Sequence, residues 1–371
     1  MKTSYAARSA TRVRICAALV AAVAVLLLVA TVRKTVQGAT GAKSSADTAT
    51  ESTSALPKVF HLRADRLQAN RERFRAGDLA IVADVEQLEQ EAKRLLDAKP
   101  LSVVEKDYTP PSGDKHDYMS QAPYFWADPT QADGAPYIRR DGERNPEINK
   151  YRNHQNMSRM AGNVEILALA YYFTGEEKYA DKASEFLRVW FLDPATKMNP
   201  NLQFAQAIPG TNTGRGIGII ESICLARLVD DIGLLAGSKS WTDANQRGLE
   251  QWYNDYLKWM QESTNGHEES AAKNNHGTYY DMQVVSYAMF LGKMDVAKSV
   301  LEQVGEKRIA KQIETDGREP LELARTKAWS YSTGNLSGLM SLARLAEHAD
   351  IDLWHYKTSD GRSIQQAVDF L

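Results

Sequence analysis

Beyond residue 78, apolar positions recur every three or four residues along most of the chain, the spacing of one face of an α-helix. In DANQRGLEQWYNDYLKWMQE, residues 243–262, the stripe consists of Leu249, Trp252, Tyr253, Tyr256, Leu257 and Met260. Comparable patterns predict helices over 78–98, where Pro100 stops the run, and over 161–175, 177–192, 218–235, 282–292, 295–313 and 336–349. Alternation of period two, the mark of a half-buried strand, is nearly absent. Short turns such as TGEE and GKMD join successive helices, so neighbours fold back on one another. The expected fold is all-α, with antiparallel helical hairpins stacked in a ring or solenoid and no sequence repeat of fixed period. The terminal IQQAVDFL is apolar helix without a stop signal, so the last element reads as cut short.

Three stretches break the pattern. Residues 1–36 place Arg8, Arg12 and Arg14 before an apolar run over 15–32, followed by Arg33 and Lys34. That is a targeting segment, at the border between a long signal-peptide core and a short membrane anchor, and it implies export. Residues 37–56 are rich in Ser, Thr, Ala and Gly and read as a flexible linker, which leaves 57–371 for the folded domain. Residues 103–156 are loop-like, dense in Pro, Gly, Asp and Asn, and carry Tyr118, Tyr124, Trp126 and Tyr137; loops of this length in a compact domain are usually functional.

Composition narrows the function. The 371 residues are 43% hydrophobic and 25% charged with a formal charge of −2, which lacks the basic excess of a nucleic-acid binder. Contact with a membrane is expected only through the N-terminal segment. Of the two cysteines, Cys16 lies in the targeting run and Cys224 in an apolar helix, so no disulfide forms within the domain and Cys224 reads as a core residue. No HExxH pattern occurs, and His267, Glu268 and Glu269 read as a solvated cluster in a loop. No metal or organic cofactor is implied.

The stretch AAKNNHGTYYDMQ, residues 271–283, crowds hydrogen-bonding side chains beside an apolar run. A buried polar group left unpaired costs about 1–3 kcal/mol, so these groups either satisfy one another or await a ligand. Together with NNHG at 274–277, the segments DKHDYMSQAPYFWADP and GAPYIRRDGERNPE between 114 and 147 and ELARTKAWSYSTGNLSGLMSLARLAEH at 322–348 resemble the alginate lyase family of polysaccharide lyases. The similarity runs over most of the chain from about residue 60. It implies an α/α barrel, or toroid, and an activity on polymers of uronic acids such as alginate or glucuronan.

The chemistry of such an enzyme accounts for the residue types. β-Elimination removes the proton at C5 of a uronate, beside its carboxylate, and expels the oxygen at C4. The carboxylate must be neutralised or hydrogen-bonded, a base must reach C5, and an acid must protonate the leaving oxygen. The resemblance implies Asn275, His276, Arg325 and Tyr331 as the catalytic group. Tyr331 is the expected acid and base, its phenolate favoured by an adjacent cation. Arg325 and Asn275 are expected to hold the carboxylate, and His276 either to hold it too or to act as base on the opposite face.

Further substrate contacts are expected from Asn212 and Arg215 in the glycine-rich GTNTGRGIG, from His154, Gln155 and Arg159 in YRNHQNMSRMAGN, and from Tyr124 and Trp126, whose flat faces suit pyranose rings. GTNTGRGIG lacks the preceding strand of a dinucleotide site and otherwise reads as the turn before a helix. Two other functions fit the same sequence. A hydrolase on a helical barrel needs two acids flanking the bond, for which Asp117 and Asp281 are candidates without forming an evident pair. A non-catalytic polysaccharide-binding protein needs none of the four residues.

Overall fold

The computed structural model describes residues 56–371. The targeting segment and the linker as far as residue 55 lie outside the described residues. Two helices open the domain, α1 (Ala64–Arg75) and α2 (Leu79–Leu95), the second capped by Asp78, whose side chain accepts from the Ala80 N–H at 3.1 Å. The long loop that follows contains short strands, β1 (Met119–Gln121), β2 (Phe125–Trp126) and β3 (Ile138–Arg139), and a 3-10 turn over Pro146–Lys150. Then come α3 (Asn153–Thr174), ended by Gly175 in the left-handed conformation, and α4 (Glu177–Leu187). Strand β4 (Phe204–Ala207) and a 3-10 turn over Gly216–Ser222 lead into α5 (Ile223–Leu234). The remaining helices are α6 (Asp243–Glu262), α7 (Thr264–Ser270), α8 (Asn275–Phe290), α9 (Met294–Val304), α10 (Ala328–Ala346) and α11 (Ile364–Phe370).

The fold is all-α with an α/α-barrel arrangement. Helices α3, α5, α8 and α10 pack in succession as an inner row, while α2 and α4 back α3, and α6 and α9 back α8. β1 pairs in parallel with β4, and β2 runs antiparallel to β3; these ribbons pin the loop rather than build a core. The six stripe residues of α6 are the buried ones of that helix, and Trp252, Tyr253 and Tyr256 pack with Phe191, Tyr287 and Phe290 at ring separations of 4.7–5.9 Å. Cys224 is partly buried among these helices, and burial pushes its thiol up to about 12, consistent with a packing role. Among the described residues no helix is long and apolar enough to cross a membrane.

Several helices begin earlier than their apolar patterns do: α3 at Asn153, α8 at Asn275 and α10 at Ala328. The first turns of α3 and α8 are polar, so hydrophobic period cannot register them, and that of α10 leaves its Trp329 exposed, off the buried face. The central helix α8 explains most of the polar crowding at 271–283. From Gly277 onward nearly all of it is buried, and its polar side chains find partners inside the fold. Thr278 donates to Gln312 at 2.9 Å, Asp281 pairs with Arg308 at 2.7 Å, and the Gln283 carbonyl accepts from Ser222 at 2.6 Å. Ser286 pairs with His61 at 2.8 Å, in a strap where Asp230 accepts three backbone N–H groups, from Phe60, His61 and Leu62. Asn275 and His276, at the start of α8, are instead partnered by carboxylates from outside the helix.

Candidate active site

The first turn of α8 is held by two buried carboxylates. Glu322, 1% exposed on a short helical turn over Pro320–Leu323, accepts from the Asn275 backbone N–H at 2.7 Å and from its Nδ2 at 2.6 Å. Glu269, also 1% exposed, accepts or shares a proton with His276 Nδ1 at 2.7 Å, which leaves Nε2 for the site. Burial pushes both carboxyls up, opposed at Glu322 by the Asn275 hydrogen bonds and at Glu269 by the His276 one. The reading of residues 267–269 as a solvated loop cluster is therefore corrected in part: they lie on α7, where His267 and Glu268 are exposed as expected but Glu269 is buried behind His276. The helix packs on the 3-10 turn at Gly216, where a Cβ would meet the Asn265 carbonyl and the Glu268 side chain, so glycine is required for that approach.

The second half of the group is reached through the same turn. Arg325 N–H closes onto the Glu322 carbonyl at 3.1 Å, so one short segment carries both the Asn275 anchor and the guanidinium. Arg325 Nη2 donates to Asp141 Oδ1 and to the Tyr331 hydroxyl, each at 2.7 Å, and its guanidinium lies 3.8 Å from the Tyr331 ring centroid. Tyr331 in turn donates to the Tyr124 hydroxyl at 2.9 Å. Gly142, at φ 75°, lets the 134–147 loop lie against Thr326, where a Cβ would clash with its hydroxyl, and this brings Asp141 to Arg325.

The Arg325 guanidinium beside Asp141 holds that carboxyl well below the usual carboxylate range. Burial works against the Arg325 charge, but Asp141 overrides it and raises the arginine further. Tyr331 is pushed well above its ordinary value, by burial first and by the Tyr124 hydrogen bond second, with Arg325 opposing. The expectation that the adjacent cation makes Tyr331 a phenolate thus needs revision. Asp141 already neutralises much of that cation, and the resting tyrosine is a phenol, ready as an acid.

The match to the alginate lyase family covers residues 102–371. The chain belongs to the alginate lyase family. Similar solved structures include an alginate lyase from Bacteroides ovatus, 42% identical with a TM-score of 0.82, the alignment spanning 85% of this chain and 83% of that one. A complex of alginate lyase A1-III, an enzyme of Sphingomonas species A1, with a tetrasaccharide is 18% identical with a TM-score of 0.53, over 85% of this chain and 78% of that one, and shares the fold. No curated protein matches the sequence significantly. As a member of this family the protein is a polysaccharide lyase.

Around the four central residues of this family member, the other predicted contacts divide. Tyr124 reaches the centre through Tyr331. Trp126 donates to the Glu143 carbonyl at 2.9 Å, with Arg140 5.4 Å over its ring. Arg215 donates to the Gln206 side chain at 2.7 Å and lies 5.1 Å over Phe125, its pKa lowered by burial. His154 and Gln155 line a cavity of about 180 Å³. Arg159 is exposed on α3, and its side chain makes no hydrogen bond among the described residues. The Asn212 side-chain oxygen Oδ1 accepts from the Ile208 N–H at 3.1 Å and staples its own turn. Sequence reasoning missed Glu322, Glu269 and Asp141 as partners of the group. Of these, only Glu322 and Asp141 fell in the segments that carried the family resemblance.

The rival acids are occupied elsewhere. Asp117 accepts from Ser112, Asn199 and Asn201 at 2.6–3.1 Å and braces the loop. Asp281 is 2% exposed and paired with Arg308 and Lys307. Among the described residues no group of three or more His, Cys, Asp and Glu side chains is placed to hold a metal ion.

Proposed function

We propose that this lyase cleaves a uronic-acid polymer, mannuronate-rich alginate or glucuronan, by β-elimination at the Asn275, His276, Arg325 and Tyr331 group. The observation that carries the reading is the hydrogen-bond chain Arg325–Tyr331–Tyr124, tied through one turn to the Asn275–Glu322 anchor. His276 Nε2 and the remaining Asn275 amide proton bind the C5 carboxylate, so that charge developing on it is met by placed donors. Tyr331 acts from its phenolate, its phenol proton having left to solvent and the phenolate oxygen accepting from Arg325 Nη2 and the Tyr124 hydroxyl, and it takes the C5 proton. The C4–C5 double bond then forms as the C4–O bond breaks, and Tyr331 returns its new proton to the departing oxygen. The buried Glu269 and Glu322 fix the orientations of His276 and Asn275.

Mannuronate and glucuronate share their configuration at C4 and C5 and differ at C2, whereas guluronate is inverted at C5. One tyrosine on one face therefore suits either of the first two. In initial-rate assays on mannuronate blocks, glucuronan and guluronate blocks, one of the first two is expected to be cut fastest. Guluronate blocks cut faster than both would contradict the single-face mechanism.

We also infer that the protein acts outside the cytoplasm, from the basic residues and the apolar run that begin the chain. Fractionation of cells that express the full chain is expected to find it in an exported or membrane fraction; recovery in the cytoplasm alone would refute this.

A further inference from the structure

The turn that carries Glu322 opens on another acid, Glu319, for which the elimination itself has no use. The Glu319 backbone carbonyl starts the turn, accepting from the Glu322 and Leu323 N–H groups at 3.0 and 2.9 Å. Its side chain is buried, and neither carboxyl oxygen has a hydrogen-bond partner among the described residues. Glu322, three residues on, takes two hydrogen bonds from Asn275, so two acids of one turn meet opposite surroundings. A buried carboxylate without donors or a counter-ion is among the costliest groups a fold can hold, so its presence here calls for a cause.

The turn packs on α10, which sets the neutral Asn335 beside Glu319 and carries Ser332 one helical turn earlier. The titratable residue of α10 in this region, Tyr331, is bonded to Arg325 and Tyr124. Arg325 and His276 act on Glu322 instead, and Arg318, the neighbouring cation in the chain, is exposed and paired with Asp316 at 2.7 Å. Among the described residues the charge that bears on Glu319 is therefore Glu322, of its own sign. Burial, opposed by Asn335 and reinforced by Glu322, pushes the Glu319 carboxyl up to about 8. From Asn335 hydrogen bonds lead back to the catalytic group. Its Nδ2 donates to Gln312 Oε1 at 2.9 Å, and Gln312 Nε2 donates to the Asn274 carbonyl at 3.2 Å, one residue before Asn275.

We propose that Glu319 is a positioning residue that holds a proton in the working enzyme, and that loss of this proton sets a second negative charge beside Glu322 and displaces the turn that carries the Asn275 anchor and Arg325. Its action on the reaction runs through Glu322 on one side and through Asn335 and Gln312 on the other. With no cation to meet the new charge, the turn and its link to Asn274 yield together. The proposal rests on the reading of Asn275 and Arg325 as catalytic, and it assigns a loss of activity on the alkaline side to a residue outside that group.

Glu319→Gln in the full chain keeps the shape of the side chain and removes its titration. A carboxyl that is neutral in the fold and ionised in the unfolded chain costs stability progressively as pH rises from its ordinary value of 4.5 to about 8, and no more above that. The melting temperature of Glu319→Gln is therefore expected to gain on that of the parent across this window and then to hold its lead. Turnover of Glu319→Gln relative to the parent, on the uronan the parent cuts fastest, is expected to climb at least about tenfold between about pH 6 and about pH 9.5. Groups common to both proteins cancel in that ratio. An ordinary ionised glutamate predicts the opposite, a variant less stable than the parent across the same window and a flat turnover ratio. A melting difference that does not grow with pH overturns the held proton, and a growing one with a flat turnover ratio overturns the positioning role. If Glu319→Gln does not fold, infrared spectra of the parent with isotope-labelled glutamate decide: a glutamic-acid carbonyl band that vanishes as pH passes about 8 supports the proposal, and its absence overturns it. Failure of the lyase reading shows separately, as absence of unsaturated product from the parent.

Discussion

Tyr331→Phe is expected to lower turnover on the preferred uronan by at least about 10²-fold, the ordinary size of a general acid–base contribution. The substitution removes one oxygen and keeps the ring under the Arg325 guanidinium, 3.8 Å from its centroid. What disappears is the hydroxyl that accepts from Arg325 and donates to Tyr124. As a purely structural loss this costs about 0.5–1.5 kcal/mol of stability and leaves the rate nearly untouched. The two accounts therefore separate when melting temperature and turnover are measured on the same protein. A lowered melting point with near-normal turnover would remove Tyr331 from the mechanism, and Asn275 and His276 would revert to partners of Glu322 and Glu269 in a self-satisfied cluster.

The second large effect is expected on stability. Asp281→Asn leaves the Arg308 guanidinium, 2% exposed, without its counter-charge, and breaking a buried pair in this way costs about 3–5 kcal/mol. Arg308 also donates to the Ala272 carbonyl at 2.6 Å and to the Ser270 carbonyl at 2.9 Å, so it anchors the segment that delivers Asn275 and His276. Gly277 is packed so tightly on this guanidinium that a Cβ there would overlap it. Urea denaturation of Asp281→Asn should show the destabilisation, while the rate per folded molecule stays within a few-fold of the parent. The hydrolase reading requires the reverse, an intact fold with turnover abolished, because Asp281 was one of its two acids.

How far the sequence reveals this site follows from the range of the interactions involved. Helical period is a local property, so the buried face of α6 can be read residue by residue from 243–262, and the all-α class follows from several such segments. The 103–156 loop, too, announces itself by composition, and it supplies Tyr124 and Asp141. What cannot be read is which polar residues become buried partners. Glu322 meets Asn275 across 47 positions and Arg325 meets Asp141 across 184, separations that no periodicity encodes. Glu269 lies only seven residues from His276, yet HEES has the appearance of solvated surface until α7 folds it inward. The resting state of Tyr331 depends on burial and on Tyr124 as much as on the arginine, so a neighbouring cation in the sequence overstates the phenolate.

The most direct test of elimination at this site is the chemistry of the new chain end. The enzyme is incubated with glucuronan and with mannuronate-rich alginate in water enriched in heavy oxygen. Products are followed by ultraviolet absorption and by mass. Elimination predicts an absorbing C4–C5 double bond on each new non-reducing end and no oxygen taken from the solvent in the bond-breaking step. Saturated non-reducing ends, with one solvent oxygen placed on each new reducing end per cut, would contradict the account.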